Sequence, residues 1–188
     1  MDELKTRIRA AIEPLRGLKL SLASNLGDVR SFYFSETRPD ATGVTSKYAL
    51  HLYCPWRIEA AGRIIVGSAD HYCRAENNTD PTWEVGMAYG TRQQEIIQEL
   101  LGGIDQETGA IINTTELFLI EEIAADGFGG ITVSFTGGYQ LVVFPSSSQG
   151  SEWRLMPACG GIHFVVEGGH SYYIGPTENG GTGGTGTA

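Results

Sequence analysis

Apolar and polar residues alternate most clearly between Gly129 and Pro145, and the rest of the chain can be read outward from there. Ile131, Val133 and Phe135 alternate with Thr132 and Ser134, the period of two that buries one face of a strand and wets the other. Gly137-Gly138 predicts a two-residue type I′ turn, which needs positive φ at both positions. Leu141 to Phe144 reads as a return strand buried on both faces, stopped by Pro145. Elsewhere the period changes. Leu4, Ile8, Ile12 and Leu15 form a helical stripe within residues 2–16, with Pro14 closing the helix near Glu13. A second amphipathic helix is predicted from Ile96, Ile97, Leu100, Leu101 and Ile104. A capping box at Thr91 and Gln94 opens it, and Gly102-Gly103 ends it.

Between these landmarks the chain reads as strands joined by short turns. Leu18–Ala23 and Val29–Phe34 form a hairpin across Asn25–Asp28, and Glu36–Ser46 is a loop. Lys47–Ile58 is one long strand, with Tyr48, Leu50, Leu52, Cys54, Trp56 and Ile58 on its apolar face, and Arg63–Gly67 pairs back on it. Ser68–Tyr89 is irregular. Leu117–Ile123, Glu152–Met156 and His163–Glu167 are further strands, and Ser171–Ile174 is either an edge strand or a packing segment. With no strand–helix–strand alternation, pairing is mainly antiparallel. The pattern predicts an α+β fold: a strongly curved sheet or a sandwich, with two short helices. It occupies one domain over residues 1–175, and a Gly/Thr-rich stretch over 176–188 buries nothing and is expected to be disordered.

Composition narrows the setting. The opening segment has no apolar stretch behind it, and no apolar run approaches the roughly 18–20 residues of a membrane span. A cytoplasmic protein with no membrane contact is expected, its three cysteines (Cys54, Cys73, Cys159) reduced. The net charge of −9 is uneven. Residues 1–92 hold 12 basic and 11 acidic side chains, whereas residues 93–188 hold Arg154 alone against 11 acids. That second half is unsuited to nucleic acid, and suited to a basic protein partner.

Four constellations carry candidate chemistry. His51, His71 and Cys73, with Cys54, Cys159, His163 and His170, supply zinc-type ligands, but His51 and Cys54 lie on opposite faces of one strand and no strong zinc spacing occurs. No nucleophile elbow, zincin helix or phosphate loop is present, so no cofactor is implied and no catalytic residue assigned. A polar sheet surface is expected from His51, Tyr53 and Arg57 with Asp70 and His71, extended by Glu152, Trp153 and Arg154. Finally, Glu95, Glu99, Asp105, Glu107, Glu116, Glu121, Glu122 and Asp126 fall in a stretch without Lys or Arg and predict an acidic docking surface.

Leu50–Ile58, Ser134–Pro145, Glu152–Leu155 and His163–Gly169 together resemble a group of uncharacterised bacterial cytosolic proteins, over roughly residues 18–169. The resemblance implies a small bacterial domain and no assigned activity. The expected function is a non-enzymatic interaction module, of the immunity or defence type, that binds a basic partner through Glu95, Glu99, Glu121, Glu122 and Asp126, with Tyr53, Arg57, Trp153 and Arg154 as further contacts. The alternative is a small-molecule-binding or metal-dependent enzyme built on His51, His71 and Cys73.

Overall fold

A computed structural model describes the chain except residues 1, 27–28, 35–37, 41–42, 105–110, 113–116, 158–159 and 176–188. In chain order the elements are α1 (Asp2–Ile12), β1 (Leu20–Leu26), β2 (Val29–Phe34), β3 (Arg38–Asp40), β4 (Gly43–Thr45), β5 (Tyr48–Leu52), β6 (Trp56–Ala60) and β7 (Arg63–Gly67). There follow α2 (Arg92–Leu101), β8 (Gly103–Ile104), β9 (Ile111–Ile112), β10 (Ile120–Ala125), β11 (Ile131–Phe135) and β12 (Tyr139–Val143). The last three are β13 (Ser151–Pro157), β14 (His163–Glu167) and β15 (His170–Ile174). Among the described residues there are also two 3₁₀ turns, Glu13–Leu15 and Ser68–Tyr72.

Eleven strands form two antiparallel sheets, ordered β1-β2-β5-β13-β14-β15 and β10-β11-β12-β6-β7. Their inner faces share one core. Phe32, Leu50, Leu155 and Phe164 form a cross-strand row in the first sheet, facing Ile58, Val133 and Leu141 of the second. The fold is therefore an α+β sandwich. Neither sheet is strongly curled, so the strongly curved alternative is not the arrangement. A second sheet closes the core instead, so curling is not needed to bury the apolar faces.

The run from residue 47 to 58 shows how the chain does this. It is two strands, not one: β5 belongs to the first sheet and β6 to the second, with Tyr53-Cys54-Pro55 stepping between them. Every second residue still points inward because both sheets face the same interior, so the alternation survives the crossover. α1 presents Ile8 and Ile12 to the core and lies against β10 and β15, while α2 lies against β1 and β7, so each helix covers one flank of the sandwich. At one corner the sheets join directly. The N–H groups of Gly17 and Leu20 donate to Ile120 and Phe118 (2.9 Å each), and Ile120 N–H donates to Leu18 (2.8 Å).

The 131–143 hairpin differs from its expectation in two ways. Only Gly138 takes positive φ (+74°), and its N–H closes the turn on Phe135 O at 3.0 Å. Gly137 is needed for room: a Cβ there would lie 2.7 Å from that of Leu117. The return strand is also buried on one face only, since Leu141 and Val143 are inside, Val142 is half-buried and Phe144 is 37% exposed. Within the expected 36–46 loop, β3 and β4 pair as a short ribbon, where Pro39 is tolerated because both strands are edges. The expected tail at 176–188 lies outside the described residues.

Candidate functional site

β2 carries Arg30, Phe32 and Phe34 in one phase, so the strand that buries two phenylalanines buries an arginine with them. Arg30 is 4% exposed, beside Leu52 of β5 and Asn25 of β1. Its Nη2 donates to the side-chain oxygen of Gln93, and its guanidinium lies 5.7 Å from the Trp56 ring centroid. Nε is fully buried and has no hydrogen-bond partner, and no carboxylate pairs with the group among the described residues. Burial pushes its pKa down to about 10, so it stays charged at neutral pH.

The surrounding walls are tied together. Gln93, in the first turn of α2, passes its amide to Gly67 O (3.0 Å) and Ser68 O (3.2 Å) while its oxygen meets Arg30. Asp70 accepts from Gly67 N–H at 2.7 Å, fixing the 3₁₀ turn Ser68–Tyr72. The start of α2 is joined to the preceding loop by Arg92 N–H to Cys73 O (2.7 Å) and Ala75 N–H to Gly90 O (2.9 Å). Thr91 Oγ1 accepts from Gln94 N–H at 3.2 Å; in return the Gln94 side-chain oxygen accepts from Gly90 N–H, one residue before the expected position.

These elements border a half-open cavity of about 410 Å³. Its polar lining comes from Arg30, Asn25, Gln93, Ser68 and His71, and its aromatic lining from Trp56, Tyr53 and Tyr72. Cys54 also reaches it, but burial, then the Glu152 carboxylate, pushes its thiol up to about 12, so it is protonated and a poor nucleophile. A planar guanidinium with unused donors suits a carboxylate or phosphate, which would also supply the missing countercharge.

Of the residues expected at a site, Tyr53 and His71 line this cavity. Cys73 is exposed at the end of the 3₁₀ turn. His51 lies on the outer face of the first sheet, opposite Arg154 of β13. His51, His71 and Cys73 therefore form no cluster, and no group of three or more His, Cys, Asp or Glu is placed to hold a metal among the described residues. The expected polar surface is divided too. Trp153 is fully buried and donates to Gly129 O at 2.7 Å, a core role. Arg57 pairs with Glu59 (2.6 Å) and lies over the Phe144 ring at 4.5 Å, on the outer face of the other sheet.

The acidic residues are not one patch. Glu95 is turned inward, with only 7% of its side chain exposed; it pairs with Arg92 at 2.7 Å and accepts from the N–H groups of Glu76 and Asn77. Asp126 closes a turn by accepting from Phe128 and Gly130 N–H at 2.8 Å. Glu121 and Glu122 are exposed on β10, at the opposite edge of the second sheet from the β7–α2 flank that carries Glu99. Asp105, Glu107, Glu116 and Cys159 lie outside the described residues.

Arg30 and Gln93 were not expected. The signal for Arg30 was present in the sequence as a charge in phase with Phe32 and Phe34. No protein-family model, curated protein or solved structure matches the chain.

Proposed function

We propose that this protein binds a small organic anion in the cavity over Arg30, as a binding module without a catalytic nucleophile. One observation carries the reading: an arginine only 4% exposed, with no carboxylate partner among the described residues, lining a cavity large enough for a ligand. Arginine buried without a countercharge is costly, and a site that takes up an anion is a physical reason to retain it. Tyr53, Trp56 and Tyr72 add surfaces on which an apolar or planar portion can lie. This keeps the small-molecule alternative from the sequence but centres it on Arg30 in place of His51 and Cys73. The acidic docking surface has less support, because Glu95 and Asp126 are engaged with backbone and Glu99 is on a different flank from Glu121 and Glu122.

The test is a thermal-shift and calorimetric panel of aromatic and aliphatic carboxylates and phosphate esters, each beside its uncharged amide or methyl ester. Charged members should raise Tm and their neutral partners should not. Arg30→Met should abolish the difference. A panel in which charge makes no difference, or in which Arg30→Met retains the response, overturns the reading.

A further inference from the structure

A second cavity, of about 330 Å³, lies beside the first, and Arg30 and Asn25 line both. The two differ in character. The first offers aromatic walls, whereas the second is lined by Gln94 and Gln98 beside Ile97 and Ala88. No carboxylate lines either cavity among the described residues. Resting on the reading that Arg30 receives an anion, we infer that the ligand has two arms joined through a singly charged internal group, a phosphodiester between two nucleoside-like units.

One arginine lining both cavities balances one negative charge, which favours a phosphodiester over a doubly charged phosphomonoester or pyrophosphate. A carboxylate is also singly charged, but it ends a molecule: it has one substituent and leaves the second cavity unfilled. A phosphodiester has two substituents, so it can sit at Arg30 and Asn25 with an arm on each side. Tyr53, Trp56 and Tyr72 suit a stacked ring, for which aromatic side chains are general platforms. Gln98 carries both donors and an acceptor, and Gln94, whose oxygen already accepts from Gly90 N–H, keeps its amide N–H donors, which suits a base edge or a sugar. The net charge of −9 disfavours a long polyanion, so the free two-unit molecule is the ligand and not a nucleic-acid strand.

Calorimetry on the full chain tests this with four probes: a dinucleoside monophosphate, its uncharged methylphosphonate analogue, the methyl ester of a nucleoside 5′-monophosphate as a one-armed monoanion, and a longer single strand of the same bases. The dinucleoside monophosphate should bind at least tenfold more tightly than each of the other three. Gln98→Trp, an exposed helix position that lines only the second cavity, should erase its advantage over the one-armed ester. Equal affinity for one-armed and two-armed monoanions refutes the two-lobed ligand while leaving the anion reading intact, and so does aromatic carboxylate binding without any dinucleoside binding. A longer strand that binds best refutes the free ligand. Failure of every anion, carboxylates included, refutes both.

Discussion

Replacing Arg30 with methionine should barely change the stability of the ligand-free protein. Burial lowers the pKa of Arg30 from its ordinary value to about 10. At roughly 1.4 kcal/mol per pH unit that is a penalty of about 3 kcal/mol for keeping the charge inside. Against it stand a charged hydrogen bond to Gln93, contributing about 1.5–3 kcal/mol, and the Trp56 contact, contributing about 1 kcal/mol. The terms nearly cancel, and methionine fills much of the volume of the arginine stem. Urea unfolding at pH 7 should therefore place Arg30→Met within about 1.5 kcal/mol of wild type, whereas breaking a buried ion pair costs about 3–5 kcal/mol. The pH dependence gives an independent check. The folded-state pKa is depressed, so above about 10 the native arginine gives up its proton while the unfolded chain keeps one. The unfolded state then binds more protons, and stability rises with pH in that window. Lysines and tyrosines titrate in both proteins, so the difference between wild type and Arg30→Met isolates this group. It should favour wild type increasingly from pH 10 upward, by as much as ~1.4 kcal/mol per unit. A loss above 3 kcal/mol at pH 7, or a flat difference curve, would refute the uncompensated charge.

Three further outcomes follow from the same geometry. In a Cys159→Ser background, a thiol reagent at pH 8 should label exposed Cys73 rapidly and Cys54, buried with its thiol near 12, only on unfolding; prompt labelling of both would contradict the cavity wall as described. His51 and His163 both have lowered pKa values, first from burial and then from the Arg154 charge. The unfolded chain therefore binds protons more readily than the fold just below the ordinary histidine value of about 6.5. Stability should fall as pH drops through that range, and Arg154→Met should flatten the fall; an unchanged slope in melts between pH 5 and 8 would remove Arg154 as a cause. A saturating anion at about 100 times its Kd should stabilise wild type by about 2.7 kcal/mol and Arg30→Met by nothing; equal stabilisation of the two would place the site elsewhere.

The strands, both helices and most turns are legible in the sequence because they follow from period and from turn residues. Ile131–Phe135 and the Leu4–Leu15 stripe needed nothing else. What period cannot show is which sheet a strand joins. Leu50 and Trp56 share one alternation yet sit in different sheets, because both sheets bury toward a single core. The same limit governs the site. Tyr53 and His71 were legible as polar or aromatic residues near strand ends, but their convergence on Arg30 depends on α2 crossing the β1 and β7 edges, a tertiary fact. Counting charge along the chain misled in the opposite direction. Glu95 and Asp126 are acidic in sequence but are occupied by backbone N–H groups in space.

Arg30 stands apart when the buried polar groups are compared by what satisfies them. Glu152, 2% exposed, accepts from the N–H groups of Ser146 and Ser147; Thr91, fully buried, caps α2; and Gln93 has partners on both ends of its amide. These are complete, and they explain why a polar residue is tolerated at each place. Three buried polar atoms have no partner among the described residues: Arg30 Nε, Arg154 Nε and Ser171 Oγ. Ser171 Oγ is neutral, and an orphaned hydroxyl costs about 1–3 kcal/mol without requiring a ligand. Arg154 is half-buried on an outer sheet face, where solvent reaches part of the side chain. Arg30 alone of the three combines near-complete burial with a full charge and contact with two cavities. The fold satisfies its other buried charge, Glu152, through backbone donors and gives this one a single side-chain partner, Gln93, beside two cavities, and that contrast is the ground for the anion proposal.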